Sequence, residues 1–410
     1  MDTRGILLIS GVLTLLCLAT GALMYLRRRP SGIDAATLST CRSRVYAWWL
    51  LFGSLICALL LGTVATVTLF GAISFWALRE YVTLTPTRPA DHRTLVGVFF
   101  LLTPLQFILV GLDSEWFTKV FHTEPYFVFS VLIPSLAFLI LPATVATSGD
   151  PKFFLERIAK LQVGLLICVY SLSFAPAILT MKLPNSKPTV TAAEIVAVDL
   201  EDKVLKPLEE AVTLQAANAG NNGASEKPGE GAAAASNDGS QKKDGAANQG
   251  AALESEYVET IETQGKISTP HKKLDAANLT LLFVFVFLTQ VNDVAQYFWS
   301  RAFPRHKIAP YVNSSKTTEG ALLGALTTAL VAVALIYFTP FTNWRQAALA
   351  GVIISAMGFA GNMTMSAIKR DQGVGDYGEL VDGHSGVLDR IDSLCFAAPV
   401  FYHYVRLCLD

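Results

Sequence analysis

Residues 5–26 run without a single charged side chain. At about 1.5 Å per helical residue, that length crosses the hydrocarbon core of a bilayer. Arg27, Arg28 and Arg29 come directly after it, whereas a cleaved signal carries its charge before the apolar run, so a retained helix is expected. Further apolar runs cover residues 46–81, 94–112, 125–147, 161–181, 276–299, 318–339, 345–368 and 387–407. The first of these is too long for one span and is divided at Gly62. Lipid offers no partner to a backbone N–H or C=O, so such runs must be helices. The expected fold is therefore all-α, a polytopic membrane helix bundle of about ten transmembrane helices. Composition agrees: 52% hydrophobic, 16% charged and a mean hydropathy of +0.43 are too apolar for a soluble chain of 410 residues. Pro104, Pro134, Pro142 and Pro176 are expected to kink their helices. The six cysteines show no CxxC and no grouping with histidine, which argues against zinc and suggests buried free thiols.

The runs divide the chain into an amino-terminal bundle of about six helices (1–181), a linker (182–275) and a carboxy-terminal domain (276–410). The linker holds AGNNGASEKPGEGAAAASNDGSQKKDGAANQG, too poor in large apolar residues to bury a core, and disorder is expected there. Loops 27–44, 88–93, 152–160 and 301–316 are rich in lysine and arginine, while 113–124 is acidic on balance. With ten spans, every basic loop falls on one side together with loop 366–386, and the positive-inside rule makes that side the cytoplasm. The linker then lies on the outer face. Nothing in the charge distribution points to nucleic acid.

Polar chemistry gathers in residues 366–392, SAIKRDQGVGDYGELVDGHSGVLDRID. Asp389 and Asp392 stand three apart at the start of an apolar run, so on a helix both carboxylates share one face of its first turn. Paired carboxylates after a glycine-rich loop suit a hard cation such as Mg2+, and the adjacent Lys369 and Arg370 suggest a phosphate substrate bridged by metal. Asp293, beside Asn292, interrupts an otherwise apolar helix, with Tyr297 one turn on, and an acid at that depth is a functional candidate. Between them, Arg301, Arg305, Lys307 and Lys316, with Ser314, Ser315 and Thr317, lead into a helix opening at Thr318-Glu319-Gly320, an arrangement able to cradle a triphosphate. Interfacial anchors followed by an N-capped helix explain the same residues one by one.

Segment 366–392 resembles the signature of the phosphatidate cytidylyltransferase (CDP-diacylglycerol synthase) family, S-x-x-K-R, K-D-x-G, P-G-H-G-G and D-R-x-D. Ser366, Lys369, Arg370, Asp376, Gly378, Gly383, His384, Gly386, Asp389, Arg390 and Asp392 match it. Lys316, Thr317, Glu319 and Gly320 are similar to the family's S-P-K-K-T-x-E-G element, and Asn292-Asp293 to its Asp-bearing helix. The resemblance covers roughly 280–410. Departures are Gly375 for the lysine of K-D, Asp382 and Ser385 within P-G-H-G-G, and Asn362 and Met365 where many bacterial members carry Asp and Glu.

The resemblance implies transfer of a cytidylyl group from CTP to phosphatidate, giving CDP-diacylglycerol and pyrophosphate for phospholipid synthesis. It implies Asp389, Asp392, Asp293 and Asp376 as ligands of one or two Mg2+ ions, with a monovalent cation as a further candidate. Asp376, Lys369, Arg370, His384 and Arg390 are the expected catalytic residues, His384 preferably as a loop contact. Ser366, Lys307, Lys316, Thr317 and Glu319 are expected to bind substrate. The implied partners are CTP, phosphatidate held in the bilayer, and a second copy of the chain as homodimer. The implied location is the inner (cytoplasmic) membrane, multi-pass, with the active site facing the cytoplasm. Because Asn362, Gly375 and Ser385 break the pattern, the alternative is a catalytically impaired member acting as a lipid-binding or scaffold protein. A transporter would show an internal repeat and paired broken helices, and neither is visible.

Overall fold

The computed structural model describes residues 3–28, 35–85, 88–112, 114–147, 151–181, 276–374 and 386–409. All ten apolar runs are helical: α1 (Thr3–Arg28), α2 (Ala35–Leu61), α3 (Thr63–Leu84), α4 (His92–Gly111), α5 (Pro125–Ala146), α6 (Phe154–Thr180), α7 (Ala276–Ala302), α8 (Thr318–Ala334), α9 (Trp344–Asp371) and α10 (Leu388–Leu409). Gly62 separates α2 from α3 at φ 107°, a backbone conformation that a side chain resists. Seven of these helices, α1, α2, α4, α5, α6, α7 and α9, are long and apolar enough to cross a membrane. The other three are shorter or more charged: α3 carries Arg79 and Glu80, α8 has 17 residues, and α10 carries Asp389, Arg390, Asp392 and Arg406. The protein is an all-α integral membrane bundle. The expected linker, 182–275, lies outside the described residues.

The prolines are accommodated by widened turns. π-helical segments occupy Val98–Leu102 in α4, Leu132–Ala137 in α5 and Leu165–Ser171 in α6, at or just before Pro104, Pro134 and Pro176. A proline ring crowds the preceding turn and lacks an N–H, and a wider turn makes room for it.

The segments before and after the linker pack as one unit. α6 and α7 are the most enclosed spans, while α1 and α2 lie at the edge. Phe285 of α7 stacks on Phe401 of α10 at 4.6 Å, Phe52 of α2 meets Phe283 at 5.5 Å, and Phe174 of α6 meets Tyr402 at 5.3 Å. Asn278 donates to the carbonyls of Leu179 and Met181 at 3.1 and 2.7 Å, tying the start of α7 to the end of α6. Cys168 and Cys395 are buried thiols as expected, but Cys17 and Cys57 lie on exposed faces of α1 and α2. Those faces belong to edge helices, where an apolar surface meets lipid rather than protein.

Helices α7 to α10 pack in close sequence, α8 against α7, α9 against α8 and α10 against α9. Two glycines set the approach. A Cβ on Gly351 would fall 2.7 Å from the Ala329 Cα on α8, and one on Gly361 would fall 2.8 Å from the Asp392 carbonyl oxygen on α10. The basic segment after α7 forms an antiparallel hairpin of β1 (Lys307–Ala309) and β2 (Asn313–Thr317), with Lys307 opposite Thr317. Asn313 Nδ2 donates to Ser366 Oγ at 3.0 Å, and Arg370 Nε to the Val312 carbonyl at 3.4 Å, holding the hairpin against the end of α9. The two polar stretches thus share one end of the bundle.

Candidate active site

Three helices bring acids and amides to one point. Asp293 of α7 accepts from Ser393 Oγ of α10 at 2.7 Å and from Asn362 Nδ2 of α9 at 3.2 Å. Asn362 Nδ2 also reaches Ser393 Oγ at 2.8 Å. Asp392 accepts from the Ser393 backbone N–H at 2.7 Å, and its Oδ1 lies 3.4 Å from the same hydroxyl. Two carboxylates from different helices therefore flank one buried serine. Among the described residues neither makes an ion pair. That is an unstable arrangement for two anions unless a cation joins them.

Lys316, carried by β2, is the nearest fixed cation. Its ammonium donates to Gln296 Oε1 at 3.0 Å. Burial holds its pKa below the ordinary lysine range, while Asp293 and Asp392 oppose that shift. Gln296 is itself fixed by donating to Asn292 Oδ1 at 3.1 Å and to the Ser355 carbonyl at 3.3 Å. Lys369 of α9 pairs with Asp389 of α10 at 2.8 Å, both largely buried. The pair Asp389 and Asp392 is consequently divided: one acid meets Lys369 and the other meets Asp293.

Helix α10 is positioned from the amino-terminal half. Glu80 of α3, buried, accepts the backbone N–H of Val387 at 3.0 Å and of Leu388 at 2.9 Å. A helix start leaves such donors unpaired and favours a negative charge there, so Glu80 caps the turn that bears Asp389 and Asp392. α2 contributes as well. Arg390 donates to Ser43 Oγ at 3.1 Å, and the Arg44 guanidinium lies over the Tyr297 ring at 4.2 Å.

The donor set suits Mg2+, which is commonly held by one or two carboxylates with the remaining positions filled by water and substrate phosphates. Asp293 and Asp392 are such a pair. Among the described residues no group of three or more His, Cys, Asp or Glu side chains converges, so a wholly protein-built cage is absent there.

The model of the cytidylyltransferase family matches residues 42–408, and so reaches well beyond the 280–410 stretch that carries the motifs. The chain belongs to this family. Among its cytidylyltransferase relatives, the phosphatidate cytidylyltransferase of Haemophilus influenzae is 40% identical over 129 residues, covering 30% of this chain and 44% of the relative. The Synechocystis enzyme of the same name is 36% identical over 118 residues, 28% and 40% of the two chains. The chain thus spans less than half the length of these named relatives. Similarity across nearly the whole chain is to the uncharacterized protein YnbB of Escherichia coli, 30% identical over 370 residues, 89% of this chain and 87% of that one.

Within this cytidylyltransferase-family chain, the structure brings Asp293, Asp392, Lys316, Lys369, Asp389 and Ser366 to one end of α7, α9 and α10. Ser366 donates to the Asn362 carbonyl at 2.7 Å besides holding Asn313. Thr317 serves as the N-cap of α8, accepting from the Gly320 N–H at 3.0 Å. Glu319 turns to His306 Nδ1 at 2.6 Å, and Lys307 is exposed on β1. Asp376 and His384 lie outside the described residues. Sequence reasoning missed Ser43, Arg44, Glu80, Gln296 and Ser393. Only Gln296 carried a readable signal, four residues after Asn292 on the same helical face.

Proposed function

We propose that the protein transfers a cytidylyl group from CTP to phosphatidate at the cytoplasmic face of the inner membrane. The observation that carries this reading is the meeting of Asp293 and Asp392 at Ser393, with Lys316 close by, in a chain of the cytidylyltransferase family. Two relatives named phosphatidate cytidylyltransferase support the choice of lipid substrate.

In this reaction a phosphate oxygen of phosphatidate bonds to the α-phosphorus of CTP, and the bond from that phosphorus to the bridging oxygen of pyrophosphate breaks. Both reactants are anions, so the main barrier is their repulsion, and catalysis consists of holding them in line among fixed positive charges. One or two Mg2+ ions, when bound, supply Lewis-acid neutralisation of the phosphate oxygens. Asp293 and Asp392 present hard oxygens to such a cation. The Ser393 hydroxyl and the Asn362 amide orient the Asp293 carboxylate through hydrogen bonds of 2.7 and 3.2 Å. Lys316 is restrained by Gln296 and aims its charge at the same place. Lys369, Arg370 and Arg390 add cations near the start of α10. Phosphatidate keeps its acyl chains in lipid while CTP arrives from water, which fits a site at one end of the bundle.

The test is product formation by purified protein in nanodiscs containing phosphatidate. The expected result is CDP-diacylglycerol with equimolar pyrophosphate, dependent on CTP and Mg2+ and abolished by EDTA. Folded wild type that binds phosphatidate without making product would establish the scaffold alternative instead. Orientation is tested at the hairpin tip, where Tyr311 is 93% exposed. Tyr311→Cys should react with an impermeant thiol reagent above wild-type background in inverted vesicles and not in intact cells.

A further inference from the structure

Arg44 enters no hydrogen bond and no ion pair among the described residues; its contact is the face of Tyr297, 4.2 Å from the guanidinium. It is half-buried, and it stands near enough to Asp293 and Lys316 to act on both charges electrostatically. A guanidinium carries five N–H donors, and contact with a ring face uses none of them as hydrogen bonds. Asp293 is the nearby negative charge but makes no direct pair with Arg44, so the N–H donors of this half-buried group remain available to a bound anion.

The position of Arg44 narrows the choice of anion. It sits near the start of α2, a helix at the edge of the bundle whose apolar face is largely exposed, so its neighbourhood adjoins lipid. The preceding residue, Ser43, receives Arg390 from the start of α10, so α2 and the start of α10 meet at this point. Lys316 and the Lys369–Asp389 pair come instead from the hairpin and from α9. Arg44 is thus the cation that the edge helix α2 brings toward the same charges.

We propose that Arg44, seated on Tyr297, binds the phosphate of the lipid substrate where it enters from the bilayer, leaving the nucleotide phosphates to the deeper cations. This rests on the cytidylyltransferase reading above. The chemistry shared by the two candidate ligands is a phosphate anion, and kinetics with each substrate varied in turn separate them. Arg44→Gln should raise the KM for phosphatidate by about tenfold to a hundredfold with the KM for CTP unchanged, the range expected for a lost charge-assisted bidentate contact. Arg44→Lys, which keeps the charge without the fork, should fall between wild type and Arg44→Gln. A rise in the KM for CTP alone, or no change in either, would overturn the assignment.

Equilibrium binding of phosphatidate in nanodiscs without CTP or Mg2+ is the second arm. Weakened binding by Arg44→Gln supports the proposal even if wild type makes no CDP-diacylglycerol, a result that would sink the enzymatic reading alone. Equal binding by the two proteins sinks the lipid subsite while leaving that reading untouched.

Discussion

Two buried acid clusters in this molecule solve opposite problems. Near the start of α4, Asp91 is buried against Arg157 of α6, whose Nε donates to its two oxygens at 3.2 and 2.9 Å while Nη1 reaches the Lys152 carbonyl at 3.3 Å. Every charge there has its counterion built in. At the α7–α10 junction, Asp293 and Asp392 are set side by side, and among the described residues their hydrogen-bond donors are a hydroxyl, an amide and a backbone N–H. A charge that serves the fold is neutralised by the protein, whereas on the proposed reading the second pair is left for a bound cation to neutralise.

Substitutions should separate the two clusters. The largest effect is expected from Asp392→Asn: CDP-diacylglycerol formation should fall by roughly a hundredfold to a thousandfold. Its thermal midpoint without Mg2+ should hold or rise, because a repulsion between like charges is removed. A parallel collapse of the midpoint would make Asp392 a structural acid like Asp91. Asp91→Asn should do the reverse, destabilising the protein by about 3–5 kcal/mol because Arg157 loses the buried carboxylate opposite it. Denaturation should register that loss while activity per folded molecule stays constant, and Asp91→Leu with Arg157→Met should restore most of the stability.

Glu80→Ala tests whether the amino-terminal half governs the site. It orphans two backbone donors, an effect of about 1–3 kcal/mol, and should speed amide hydrogen exchange at residues 387–392 before any other part of α10. Unchanged exchange there would show that α10 holds its start without the cap. The smallest effect is expected at Asn362→Asp, which replaces an amide donor by a third carboxylate. The midpoint in EDTA should fall by a few degrees, as expected for roughly 1 kcal/mol in a chain of this size, and added Mg2+ should recover it. A loss that Mg2+ does not repair would remove Asn362 from the cation site.

The helices were legible because an apolar run of that length has one structural solution in lipid, and Gly62 marked its own break. Asp293 was legible for the complementary reason, an acid standing where water is scarce. Lys316, Lys369 and Asp389 were legible as charges but not as partners, since spacing along a chain says nothing about which helix lies opposite. Glu80, Ser43 and Arg44 escaped because their role comes wholly from tertiary packing. Each reads as an ordinary residue near a helix end. Thr317 shows the converse: a helix opening just after it was readable, and the structure has its hydroxyl accept the Gly320 N–H as the cap of that helix. Asp389 was grouped with Asp392 by helical spacing, yet Lys369 claims it across the α9–α10 interface.

The hydrogen bonds from Val387 and Leu388 to Glu80 join positions 307 and 308 residues apart. During synthesis the glutamate therefore waits through most of translation before its partners emerge. Until they do, the carboxylates of α7 and α10 cannot be brought together. The start of α10 can therefore take its place against Glu80 only as one of the last contacts of the bundle to form.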